Sequence, residues 1–160
     1  MKTKWILFSY SIPAANAKAR MRTWRRISAT GAAQLKTGLQ ILPNREDLLE
    51  SITWLIGEVN ALGGEAIALQ CAQVEGMADQ QIEQLFQMQV DPEFEQIQTE
   101  TRALSTIAES SVEGENFKEL AAALRKLRKR CDAVRERDFF PSGAAAKTLS
   151  ELDNLSERLL

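Results

Sequence analysis

The sequence contains no histidine. That removes the side chain that most often serves as a metal ligand and as a general base near neutral pH. No serine, cysteine or lysine stands in an evident nucleophile–base arrangement either, so the expectation is a protein without catalytic chemistry, cofactor or metal. Cysteine is scarce: Cys71 and Cys131 lie sixty positions apart, form no CxxC pair, and read as small buried hydrophobes in a reducing compartment. The longest apolar run near the N-terminus, WILF, is far too short for a signal sequence or a membrane span. These features point to a cytoplasmic protein with no membrane partner.

Acidic residues are missing from the whole N-terminal stretch. From Met1 to Arg45 there are nine bases and no acid; from Glu46 to Thr101 there are twelve acids and no base. The net charge of −2 conceals this segregation. Within the basic stretch, NAKARMRTWRRIS (16–28) holds five bases. A solvated helix usually mixes signs, because oppositely charged pairs four residues apart support it. The imbalance suggests a face prepared for a polyanion.

What is present is otherwise ordinary. An apolar fraction of 44% lets 160 residues bury a core without disulfides or metal. KWILFSYSI (4–12) is rich enough in aromatic and β-branched residues for a buried strand, stopped by Pro13. A helix from about Ala15 to Ala29 follows, ending at Gly31. AAQLKTGLQILP (32–43) reads as one bent strand or two short ones kinked at Gly38. Next comes a helix capped by Asn44, with Glu46 and Asp47 in its first turn and Leu48, Ile52, Leu55, Val59 and Leu62 on one stripe. EAIALQCAQV (65–74) supplies another strand.

Strand, helix, strand, strand, helix, strand is the ferredoxin-like split βαβ. From Asp91 on, the pattern is helical throughout. Pro92 suits a first turn, and Phe94, Ile97, Leu104 and Ile107 form one stripe. Gly114 breaks the pattern. Phe117, Leu120, Leu124, Leu127, Cys131 and Val134 then form an a/d-type seam, either an intramolecular core or a dimer interface. PSG (141–143) precedes a last helix with Leu149, Leu152, Leu155 and Leu159. The fold class is therefore α+β: a ferredoxin-like domain over residues 1–90, then a helical hairpin or three-helix unit over 91–160.

At about 100° per residue, the basic helix divides into two sides. Ala17, Met21, Trp24, Ile27 and Ser28 gather where the sheet should lie. Lys18, Arg22, Arg25 and Arg26 gather opposite, as a stripe for phosphates or as a plain solvated face. Arg20 sits at the edge of the apolar side, lying along the surface or pointing into a neighbouring site. A second cluster contains Arg125, Arg128 and Lys129. With Arg137, these are secondary candidates for phosphate or oxyanion contact.

Several stretches together resemble the N-terminal region of the ChrB-type chromate-resistance proteins: the strand ending at Pro13, Arg20 with Trp24-Arg25-Arg26, Leu42-Pro43, Gly63-Gly64, and Arg137-Asp138-Phe139 within RKRCDAVRERDFF. More distantly, the first half is similar to the ferredoxin-like module of the PaaX regulators and the Cas2-type nucleases. Those nucleases place an aspartate at the end of the first strand for a metal. Here that strand ends FSYSIP, with no carboxylate to hold a hard cation. The ChrB resemblance implies a chromate-responsive transcriptional regulator encoded beside an efflux transporter. It implies operator DNA as partner, the first-helix arginines as contacts and chromate as effector; a symmetric homodimer would let two such helices meet two half-sites. Full-length members carry a further C-terminal domain, so the chain reads as a fragment or a shortened relative. The alternative is a chromate- or oxyanion-binding or dimerisation module that does not itself touch DNA.

Overall fold

In a computed structural model, residues 2–110 and 116–159 are described. The expected break at Gly114 lies outside them. The elements run β1 (Trp5–Ser11), α1 (Ala17–Ala29), β2 (Ala33–Lys36), β3 (Leu39–Pro43), α2 (Glu46–Ala61), β4 (Glu65–Cys71), α3 (Asp79–Ser110), α4 (Phe117–Arg135) and α5 (Ala144–Leu159). They form two compact units, Met1–Phe86 and Gln87–Leu160.

The first unit holds a four-stranded antiparallel sheet in the order β2-β3-β1-β4. This is the connectivity of the split βαβ. Gly38, at φ +76, closes the β2–β3 turn, so the ambiguous stretch is two strands rather than one. In β1 the two-residue period separates Ile6 and Phe8, both fully buried, from Trp5 on the other face. Helix α2 lies against β4 and β1 and buries Leu48, Ile52, Leu55 and Val59. Its cap differs from expectation. Asn44 donates instead to the Thr3 carbonyl and accepts from Gln70, and Arg45 occupies the cap position, its side chain bonded to Asp47 rather than capping the first-turn amides. Leu62 falls at the C-cap, half-buried.

The Trp5 face meets the start of α3. The indole stacks on Phe86 at 6.4 Å and donates to Asp79 at 3.1 Å. Lys4 reaches the same carboxylate at 2.7 Å. The hydrogen bonds from Lys4 and then Trp5 hold Asp79 below its ordinary pKa, while the bond to Asp79 raises that of Lys4. The Asp79 contribution to stability is therefore present above the ordinary carboxylate range and disappears as pH falls through its lowered pKa. The Lys4 contribution disappears only as pH rises through its raised one. Denaturant melts should find Asp79→Asn less stable than wild type at neutral pH, with the gap closing in acid.

Pro92 does not start a helix; α3 runs through it. The ring removes the donor for the Met88 carbonyl and crowds it. Continuity survives because burial recurs at Ile82, Phe86, Val90, Phe94 and Ile97, on both sides of the proline. In the second unit, Val90, Phe94 and Ile97 join Leu124, Leu127, Cys131, Val134, Leu152 and Leu155 in one core, with Leu104, Leu149 and Leu159 at its margin. The α4 seam is thus intramolecular, in a three-helix unit. Phe117 and Ile107, assigned to buried stripes from sequence, are instead about half exposed.

Candidate nucleic-acid interface

Helix α1 begins where Asn16 accepts a hydrogen bond from the Ala19 amide at 3.2 Å, satisfying a free first-turn donor. It ends at Thr30, and Gly31 follows at φ +88. Its buried residues are Ala19, Thr23 and Ile27. The expected apolar side was different: Met21 and Trp24 are 51% and 52% exposed, and Ala17 is exposed too. The helix is turned by roughly one residue's rotation, about 100°, from the orientation that hydrophobicity alone suggests. Ala19 and Thr23 are small, so the helix can settle close against its neighbours, which an indole in their place would prevent.

This rotation sorts the remaining side chains into three sectors. Lys18, Arg22 and Arg25 lie opposite the buried row and are exposed. They form no ion pair among the described residues. Arg26 lies on the α2 side. Its guanidinium pairs with Glu58 and sits 5.0 Å from the Trp54 ring centroid. Arg26 therefore leaves the phosphate-facing stripe to which the sequence assigned it: one acid of the middle segment neutralises it and an aromatic face holds it.

Arg20 and Trp24, with Ala17 and Met21, occupy the third sector. They line a groove of about 660 Å³ whose other wall is Tyr10, Ser11 and Ile12 at the end of β1, with Thr37 and Gly38 of the hairpin turn. Tyr10 stacks on Phe8 at 5.6 Å. Burial raises the pKa of its phenol and the Arg20 charge opposes this, so the hydroxyl is protonated at neutral pH. Of the two placements open to Arg20 from sequence, along the surface or into a neighbouring site, the side chain lines the groove. The groove itself was not expected, because Trp24 was assigned inside the fold. Basic residues interleaved with a tryptophan were the available signal.

The secondary candidates separate in the same way. Arg128 pairs with Asp153 at 2.7 Å. Arg137 Nη1 lies 3.0 Å from Glu93 Oε2, close enough for an ion pair but without hydrogen-bond alignment. Arg125 and Lys129 are exposed and form no ion pair among the described residues. Neighbouring Arg130 is paired with Glu100. Arg128 and Arg130 are thus laced to neighbouring helices, whereas, among the described residues, Arg125 and Lys129 are not.

Arg26→Ala should lower stability by about 1 kcal/mol, the sum expected of a partly exposed ion pair and a cation–π contact. It should leave any affinity for DNA nearly unchanged. Denaturant melts and a binding titration on the same variant check both halves.

The geometry defines a class: a two-unit α+β protein whose first helix carries a basic row, free of ion pairs among the described residues, beside an apolar groove. The family described as Protein ChrB, N-terminal, matches residues 20–160. Protein ChrB of Cupriavidus metallidurans is 30% identical over 147 residues, covering 91% of this chain and 43% of that protein. The chain belongs to the ChrB N-terminal family, and it spans less than half the length of this curated relative. No described helix is long and apolar enough to cross a membrane.

Proposed function

We propose that the chain is a DNA-binding regulatory protein, or the DNA-binding region of one, serving chromate resistance. It acts by occupying operator DNA in the cytoplasm, without chemistry of its own. The observation that carries this reading is the row Lys18, Arg22 and Arg25, exposed together and free of ion pairs among the described residues. Lysines and arginines on one helix face neutralise phosphates and release counterions, which supplies affinity, and arginines can also read guanine edges in the major groove. Two copies related by a dyad would present two such helices to two half-sites, so the working unit in this reading is a homodimer. Chromate is the effector that releases it. The family membership supports the chromate connection.

The test is an anisotropy titration at physiological salt with DNA from upstream of the protein's own gene, with and without chromate. Specific binding that chromate weakens is the expected result. Affinity no better than for unrelated DNA would count against operator occupancy.

A second reading, an oxyanion-binding module, draws on Arg20, the one charged side chain lining the groove among the described residues. Arginine forks suit tetrahedral anions. Arg137, the other candidate, is already engaged by Glu93. Calorimetric heat from chromate or sulfate, lost in Arg20→Ala, would favour this module.

A further inference from the structure

Trp24 and Met21 are two large apolar side chains that the fold leaves about half exposed, on the same flank of α1. Ala19, Thr23 and Ile27 already make the helix's buried row, so packing does not account for the outward indole. Both line the groove with Tyr10, Ile12, Arg20 and Gly38. Its volume, about 660 Å³, falls within the range of sites that hold small organic groups. An apolar hollow with a polar rim marks an interaction surface. The charge of that rim narrows the occupant. Arg20 is the only charged residue lining it among the described residues, and the cations of the neighbouring sector, without ion pairs among those residues, run along the same helix. The fitting ligand combines a flat π face with an anionic backbone.

We propose that the groove receives an unpaired nucleobase of the bound DNA, stacked on the Trp24 indole, with its phosphate at Arg20 and the flanking backbone along Lys18, Arg22 and Arg25. The inference rests on the DNA-binding reading and deepens it. A base inside an intact duplex has both faces covered by its neighbours and cannot enter. A base that is bulged, frayed or single-stranded can, and an aromatic platform beside a basic track is how proteins hold such bases. Tyr10, Ser11 and Thr37 line the same hollow, and a hydroxyl can donate to or accept from the polar edge of any base.

Anisotropy titrations with one mixed-sequence oligonucleotide, offered as a single strand, as a perfect duplex and as a duplex with one bulged thymine, test this. The wild-type chain should bind the single strand and the bulged duplex more tightly than the perfect duplex. Trp24→Ala should weaken those two roughly ten-fold, the loss of one base–aromatic stack, and leave the perfect duplex unchanged. Trp24→Phe keeps a stackable ring and should retain most of the preference. Equal affinity of the wild type for all three forms overturns the proposal. So does a Trp24→Ala effect that is absent, or that is equal on all three. The triple variant Lys18→Ala/Arg22→Ala/Arg25→Ala keeps the two readings apart. If it loses all three DNA forms while Trp24→Ala loses none, the groove assignment fails and DNA binding stands. If neither variant changes anything, both fail.

Discussion

Replacing Lys18, Arg22 and Arg25 together by alanine is expected to lower DNA affinity on the order of a hundred-fold at physiological salt. The magnitude follows from counterion release: the binding constant varies with salt to the power of about −0.9 per phosphate contact, so each contact is worth about five-fold near 0.15 M. Three contacts multiply to that order. The fold should not suffer. All three side chains are exposed and unpaired among the described residues, and alanine has the highest helix propensity. Lys18 and Arg22 also repel each other across one turn, so their removal relieves a small strain. A melt matching or slightly exceeding wild type, with binding lost, separates this outcome from unfolding. Arg26→Ala is the internal control, because its charge is spent on Glu58 and Trp54.

The second large effect concerns two glycines at either end of the same argument about space. Gly64 lies between α2 and β4, and a Cβ there would stand 2.3 Å from the Ser11 carbonyl oxygen and 2.9 Å from a Val59 methyl. The oxygen is backbone and cannot swing away. Gly64→Ala should therefore cost about 1–3 kcal/mol, the usual range for overpacking. Because Ser11 lines the groove, the same change should disturb stacking there. Gly57 is exposed in the middle of α2, with nothing within 4 Å of an added Cβ. There the alanine restricts the unfolded chain and suits the helix, so Gly57→Ala should stabilise by about 0.5–1 kcal/mol. Urea denaturation of the two variants side by side reads opposite signs. A destabilised Gly57→Ala or a neutral Gly64→Ala would contradict the packing described for this layer.

The order of strands and helices was legible because it rests on local chemistry: the two-residue alternation of β1, the four-residue steps of Leu48, Ile52, Leu55 and Val59, and the Thr37-Gly38 turn. What the sequence obscured involved choices made between elements. Hydrophobicity assigned Trp24 and Met21 inward, yet the buried row of α1 is Ala19, Thr23 and Ile27. Close approach favoured small side chains, and no property of α1 read alone reports that. Pro92 looked like a beginning because its missing donor is harmless in a first turn. The apolar row crossing it, from Phe86 to Val90 to Phe94, carried the helix through. Arg26 was indistinguishable from Arg22 and Arg25 by charge and spacing. Only the arrival of α2, with Trp54 and Glu58 on the adjoining face, removed it from the row. Segregated charge thus singled out the helix that carries the exposed cations but did not tell which of its arginines are paired.

DNA binding by this chain, as proposed, requires three N-terminal cations to meet phosphates. The slope of log affinity against log salt, measured with duplex DNA for the wild type and for the Lys18→Ala/Arg22→Ala/Arg25→Ala variant, reads that directly. The wild-type slope should be steeper than the variant's by about 2.7, close to one per cation removed. Coincident slopes would mean that these side chains never approach the DNA backbone, whatever the affinity.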